Sequence, residues 1–420
     1  MQKVWWLAVA LACLGGSVGA AAAPIGAAPV AERVEVPTFI QMREANLRFG
    51  FKLLSLINEA PLRANRERSP LAVERNVLLS PLGLGITLGR LLPSLPEPAQ
   101  RAVASSLEWP NDGLIEPQAA TALLAAQLTG ADPQVQPVHA GLYWVEPGTP
   151  VKLGRDLSGN RVLESAFEGG AAPPEINRWI AAATGGQIGE ALTPGPRRPG
   201  PLVVVDATVF EGIWSRAFDP QSSLQAPFTR LDGKQTTVWQ MSRTGSFRYY
   251  ETPGFQAVQL PFGGDGEWSM AVFVPAAGVP LRSFVRNLSD EKWRLWFEQF
   301  RMRDGSVTLP RLRLRYGQDL RRVLRALGMR PAFTRSEGEE SLDAAGLLID
   351  AVDQRTAFTV SETGITRPTA AAGSERFVLP LRPGEAPFTF SADRPFMFAV
   401  VNTYSGFVAM LGTVIDPTQP

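Results

Sequence analysis

Across 420 residues the sequence has one histidine, His139, and one cysteine, Cys13. A Ser-His-Asp site would have to be built on that single imidazole, and a metal centre holding several histidines is excluded. One thiol forbids intramolecular disulfides and thiolate clusters, so packing alone must hold the fold. An excess of either charge is also missing. The 41 Lys+Arg against 40 Asp+Glu give a net charge of +1, no footprint for nucleic acid. No P-loop or H-E-x-x-H stretch occurs. Ser289 and Lys292 fit S-x-x-K without any K-T-G partner, and Ser289 before Asp290 and Glu291 reads as a helix cap. His139, beside Ala140 and Leu142 on an apparent strand, reads as structural. An enzyme is not expected, nor a cofactor or metal.

The chain is 45% hydrophobic and 19% charged, a globular balance. Residues 1–23 carry Lys3, an apolar run from Val4 to Leu14 and small residues at Val18-Gly19-Ala20. This pattern predicts a secretory signal cut near Ala20–Ala23, too short to span a bilayer. A lipoprotein signal ending at Cys13 is the minor alternative, with Ala10 where leucine is preferred. Export to an extracellular or periplasmic location is expected. Residues 24–36 read as a linker and 37–420 as one domain.

Helical spacing opens that domain from Pro37 to Ile57 (Phe39, Met42, Ala45, Leu54), and helix-rich sequence runs on to Leu192 around an extended run at Ala140–Val145. After the Pro194–Pro201 cluster, β-like runs dominate: Leu202–Val205, Thr236–Met241, Ser246–Tyr250, Ala257–Pro261, Ser269–Pro275, Val307–Leu314, Ala357–Val360, Phe396–Val401 and Phe407–Val414. Helical stretches recur at Leu281–Phe300 and Gln318–Leu327, the second closed by Gly328. Helices first and strands later, with few βαβ units, predict an α+β domain on large, mostly antiparallel sheets.

A series of spaced motifs covers about 340 residues. Asn76-x-x-x-Ser80-Pro81 comes first, then Ile176-Asn177-x-Trp179 with Thr184-x-Gly186-x-Ile188. Val203-Val204-Val205-Asp206-Ala207 leads to Phe210-x-Gly212-x-Trp214 and Phe218-Asp219-Pro220. Later come Val258-x-Leu260-Pro261-Phe262, Leu309-Pro310-Arg311-Leu312, Leu327-Gly328-Met329 and Phe390-Ser391-Ala392-Asp393-Arg394-Pro395-Phe396. In order and spacing the series resembles the serpin superfamily. The resemblance implies a five-stranded central sheet that opens to accept the protein's own exposed reactive loop. Ser80, Pro81 and Asp206 would lie under the opening, and Trp214 where insertion begins. Asp206 stands where the family has asparagine, so an amide donor is lost and a charge gained in a buried region. Gln187 and Glu211 each replace a lysine, and Arg315 stands where an acid is frequent.

The resemblance makes the loop, about residues 362–386, a bait for a serine protease. The target forms an acyl-enzyme on it, and the freed end inserts as a new antiparallel strand. The hinge would be Gly364, Thr366, Arg367, Pro368 and Ala370, Ala371, Ala372. Registers anchored on Phe358 or on Gly364 differ by one residue, and both leave Pro368 inside the hinge. Proline has no N–H for the ladder; a barrier raised by ~1.4–3 kcal/mol would slow insertion roughly 10–100-fold. A non-inhibitory serpin-fold protein (carrier, binder or decoy substrate) is therefore the alternative. Counts along the loop bracket Leu381–Arg382 as the scissile bond, with Arg376–Phe377 as fallback, because proline hinders attack at Leu379–Pro380 and Arg382–Pro383. Leucine as bait favours chymotrypsin-, elastase- or subtilisin-like proteases. Arg311, Arg313 and Arg315 with Arg321, Arg322 and Arg325 read as a solvated face rather than a polyanion site. A monomer without nucleic-acid partner or membrane span is expected.

Overall fold

A computed structural model describes residues 36–65, 75–110, 116–130, 132–153, 159–166, 174–192, 201–333, 347–365 and 386–419. These residues form eight α-helices: α1 Val36–Asn65, α2 Pro81–Leu91, α3 Glu97–Ser106, α4 Pro117–Ala126, α5 Pro174–Ala183, α6 Leu281–Arg286, α7 Asp290–Gln299 and α8 Arg321–Leu324. They also form two large sheets. The central one contains β2 (Val135–Val145), β3 (Asn160–Glu164), β4 (Leu202–Ile213), β10 (Leu312–Asp319), β11 (Ala351–Ser361) and a two-residue strand, β12 (Gly364–Ile365). Its order is β10-β11-β12-β4-β2-β3. The five long strands agree with the expected central sheet, and β12 adds a wedge to it.

The second sheet contains β1 (Val77–Leu79), β5 (Leu224–Thr229), β6 (Gln235–Thr252), β7 (Phe255–Phe262), β8 (Trp268–Pro275), β9 (Arg301–Pro310), β13 (Phe388–Ser391), β14 (Phe396–Asn402) and β15 (Val408–Val414). Its order is β1-β15-β14-β8-β7-β6-β9-β13, with β5 paired to β6. Strand β6 is long because it is shared: its start pairs with β5, its middle with β9 and its end with β7. The pairs in this sheet are antiparallel apart from β13 with β9.

Strand β4 is β-branched and apolar along most of its length, which suits a strand covered on both faces. Its even-numbered apolar residues, Leu202, Val204 and Phe210, join the main core between the sheets. Its odd-numbered residues Val203, Val205, Ala207 and Val209 join a smaller cluster with Ile176 and Ile180 of α5. Helix α2 is buried throughout and packs against β4 and β15. It starts where it does because Ser80 caps it and Pro81 at the first helical position needs no N–H partner.

Several expected elements are cut differently. The run Val307–Leu314 is two strands in two sheets, β9 ending at Pro310 and β10 starting at Leu312. Between them the Arg311 N–H donates to the Trp239 carbonyl. The stretch Leu281–Phe300 is two helices, divided where the Ser289 side chain accepts from the Lys292 N–H and starts α7. Gln318 and Asp319 belong to β10, so the next helix begins at Arg321, and Gly328 (φ 116°) closes the turn after it. The opening helix runs from Val36 to Asn65, eight residues beyond Ile57. The predicted signal, Cys13, the linker up to residue 35 and the 194–200 part of the proline/glycine cluster lie outside the described residues, while Val36 already belongs to α1.

Candidate functional site: the seam between β4 and β11

Strands β4 and β11 are parallel and in direct register from Ala351–Val203 to Ala357–Val209. Beyond that they part, and β12 fills the gap, antiparallel to both. Gly364 faces Ser361 and Ile213, and Ile365 faces Val360 and Gly212. The chain reaches β12 by a two-residue turn at Glu362–Thr363. Gly364 holds φ +142°, and a Cβ there would come within 2.0 Å of the Gly212 carbonyl oxygen, so only glycine fits. Ile365 is fully buried in the main core.

The mouth of the seam is held from one side by Trp214. Its indole N–H donates to the Ser361 carbonyl (2.9 Å) and its backbone N–H to the Thr363 carbonyl (2.9 Å). The Phe218 N–H donates to the Glu362 carbonyl (2.8 Å). The Trp214 ring stacks on Phe262 at 4.4 Å. The other side is held by charge. Glu362 accepts from Arg311 Nε (2.8 Å), from Arg311 Nη2 and from Ser223 Oγ. Burial works against ionisation of Glu362, but the bonds from Arg311 and Ser223 outweigh it and hold its carboxyl below the usual range. The Arg311 guanidinium also lies 5.1 Å from the Trp239 ring centroid, a cation–π contact.

Half-way down the seam is a buried polar cluster. Asp206 of β4 is fully buried, opposite Gln354 of β11. Gln354 Nε2 donates to Asp206 Oδ1 (2.8 Å) and to the Ser80 carbonyl (2.9 Å), while its Oε1 accepts from the Ser80 N–H (3.3 Å). Thr87 Oγ1 of α2 donates to Asp206 Oδ2 (2.8 Å), and His139 Nε2 of β2 lies 2.9 Å from the same oxygen. Ser80 Oγ accepts from the Gly83 N–H (3.0 Å) and donates to the Ala409 carbonyl of β15 (2.8 Å). Tyr143 donates to the Thr87 carbonyl, and burial above all pushes its phenol far above the ordinary value. Asp206 thus accepts from Gln354 and Thr87, and His139 Nε2 lies 2.9 Å from both Asp206 Oδ2 and Thr87 Oγ1.

Of the residues expected from sequence, Ser80 and Asp206 are joined through Gln354, Pro81 begins α2, and Trp214 guards the mouth eight positions along from Asp206. Gly364 anchors β12. Thr366, Arg367, Pro368, Ala370, Ala371, Ala372, Arg376, Phe377, Leu381 and Arg382 lie outside the described residues. The expected basic face is not uniform: Arg311 pairs with Glu362 and Arg321 with Asp350, while Arg313, Arg315 and Arg322 are exposed. Gln354, Thr87 and Ser223 escaped the sequence reading, since each is one polar residue on an unrelated element. Gln187 and Glu211, noted separately as departures, bond to each other.

Comparisons with known proteins identify the family to which this fold belongs. The family model Serpin (serine protease inhibitor) matches residues 44–417. The chain is 29% identical over 378 residues to putative serpin-Z6A of Oryza sativa subsp. japonica, covering 84% of this chain and 93% of that protein. It is 27% identical over 389 residues to leukocyte elastase inhibitor of Sus scrofa, covering 90% of this chain and 100% of that one. The crystal structure of mouse protein-Z dependent protease inhibitor superposes with a TM-score of 0.75 at 20% identity, over 90% of this chain and 98% of that one. The protein belongs to the serpin family.

Proposed function

We propose that this chain is an exported serine protease inhibitor that traps its target by inserting its own loop into the β4–β11 seam. The observation that carries the reading is β12. Two residues at the root of the loop already form an antiparallel strand between β11 and β4, the geometry that insertion would extend. In the proposed reaction the target's serine hydroxyl adds to the Leu381 carbonyl. The Leu381–Arg382 amide then breaks, and the hydroxyl proton leaves on the Arg382 amine. The freed strand zips into the seam before water releases the acyl bond. Relatives named as protease inhibitors support the coarse assignment. The apolar run in residues 1–23 supports export.

The test is a denaturing gel after mixing the mature protein with chymotrypsin-, elastase-, subtilisin- and trypsin-like proteases, with the new N-terminus sequenced. A boiling-resistant band at the summed mass supports trapping, and Arg382 as the new N-terminus supports the bond. Clean cleavage with fully active protease refutes inhibition.

One observation favours the second reading, a serpin fold that is cleaved without trapping. Continued in register from β12, inserted residues alternate between the two faces of the sheet. Ile365 faces the main core, so Arg367 would face it too, between Phe358 and Phe210, and Pro368 would lie between Ala357 and Val209. A guanidinium and a missing N–H would both resist insertion.

A further inference from the structure

The chain's one histidine meets Asp206, the one fully buried aspartate among the described residues, beside the seam that must open. The seam runs between β4 and β11, so opening it parts Asp206 from Gln354. Admitting one strand moves those two strands apart by about 4.8 Å, far beyond hydrogen-bond reach. In the register set by β12, the residue arriving between them would be Ala371, which has no side-chain donor. His139 lies on the other side. Strand β2 is paired to β4 along its whole length, from Val135–Gly212 to Val145–Leu202, and that ladder is not part of the seam. His139 therefore travels with Asp206 while Gln354 leaves.

We propose that the His139–Asp206 pair makes opening of the β4–β11 seam acid-responsive, because the open seam binds a proton on this pair more tightly than the closed one. The inference rests on the insertion reading. In the closed sheet Asp206 accepts from Gln354 and Thr87, with His139 Nε2 2.9 Å from its Oδ2 and from Thr87 Oγ1. Removing Gln354 leaves a buried carboxylate under-satisfied, and the strongest compensation is a charge-assisted bond from imidazolium. Opening is then linked to proton uptake, and acid shifts the seam towards the open state.

The other groups around the pair do not titrate in the same window. From α2 and its cap come Thr87, the buried Arg90 and Ser80, from β2 Tyr143, from β4 Thr208, and from β11 Gln354. Burial above all holds the Tyr143 phenol far above its ordinary value, so it keeps its proton at neutral pH. At the mouth, Glu362 is held below the usual carboxylate range and stays ionised. Imidazole is the side chain whose charge changes between pH 5 and 8.

The experiment is backbone hydrogen exchange of the intact, uncleaved protein at pH 5.5 and 7.5, corrected for the intrinsic exchange rate. The amides to follow are those that cross between 203–209 and 351–357. In the native protein they should exchange roughly threefold to tenfold faster at pH 5.5. Exchange across the β2–β4 ladder should not share this change. His139→Gln keeps a donor to Asp206 but cannot take the proton, and Asp206→Asn removes the charge; in either variant the pH dependence should vanish. Seam exchange independent of pH in the native protein overturns the proposal, as does a dependence that survives His139→Gln. Failure of the insertion reading has a separate signature: no gain of heat resistance after loop cleavage at any pH. The exchange profile still decides the pair in that case, since it needs neither a protease nor a cut loop.

Discussion

Arg367 offers the sharpest test of the register. Strand β12 fixes which face each following residue would meet on insertion, and Arg367 would share the inner face with Ile365. Its flanks there are Phe358 and Phe210, each no more than 1% exposed. The neighbouring inner positions, Val360 and Gly212 above and Thr356 and Thr208 below, carry no charge. The next inner carboxylate is Asp206, four residues along β4, or about 13 Å. Burying an unpaired guanidinium costs several kcal/mol, and two aromatic faces return about 2 kcal/mol at best. A net penalty of about 2–4 kcal/mol follows. If about 2 kcal/mol of it is felt in the transition state for insertion, Arg367→Thr should speed insertion roughly 30-fold. Pro368→Ala restores one ladder hydrogen bond, worth about 1 kcal/mol or roughly fivefold. The assay is the number of inhibitor molecules cleaved per protease trapped, with the rate at which the cleaved protein becomes heat-resistant. Arg367→Thr should improve both more than Pro368→Ala does. Equal trapping and equal heat resistance in Arg367→Thr and the native chain would refute the register.

Motifs carried the architecture well where one residue does a local job. Asn76 and Ser80-Pro81 were legible because each ends a chain segment. The Asn76 side chain accepts from the Ile415 and Asp416 N–H groups and donates to the Asp416 carbonyl, and Ser80 caps α2. Trp214 likewise has a local job: a large ring after a buried strand closes the strand's end. Periodicity was read too coarsely at one break. In Val307–Leu314 the apolar positions switch from odd (Val307, Leu309) to even (Leu312, Leu314) across Pro310-Arg311, and the two halves turn into different sheets. The charge at Asp206 was legible as an anomaly, but its resolution was not. Nothing local marks Thr87, His139 and Gln354 as neighbours, because they come together only when α2, β2 and β11 pack on β4. The same holds for Arg311 and Glu362, 51 residues apart and joined by a sheet edge.

The remaining tests act on the mouth and on the helix beneath it. Glu362→Gln should lower stability at pH 7 by about 1 kcal/mol, less than a fully buried ion pair would lose because Arg311 is 41% exposed. The Glu362 carboxyl is held below its unfolded value, so its contribution is present above the unfolded pKa and lost as pH falls through the folded one. Thermal scans between pH 3 and 6 should show that step in the native protein and lack it in Glu362→Gln. Gly364→Ala should expel β12 from the seam, since its Cβ would overlap the Gly212 carbonyl. Faster proteolysis near Ile365 and a change in Trp214 fluorescence would report it, and unchanged values of both would contradict the wedge. Ser80→Ala reaches deepest, because one hydroxyl serves two elements. Its oxygen accepts from the Gly83 N–H at the start of α2, and its proton goes to the Ala409 carbonyl on β15. Both partners lie where water cannot replace the lost bonds, since Ser80 is fully buried and Ala409 is 1% exposed. The lost cap is worth about 1 kcal/mol and the orphaned carbonyl a further 1–2 kcal/mol, about 2–3 kcal/mol together. Gln354 would keep its bonds to the Ser80 backbone, so the seam contacts should survive while the helix loosens. Exchange should therefore quicken in the first turn of α2 more than across β4 and β11. A loss below about 0.5 kcal/mol, or exchange that rises first in the seam, would show that the hydroxyl does not tie the helix to β15.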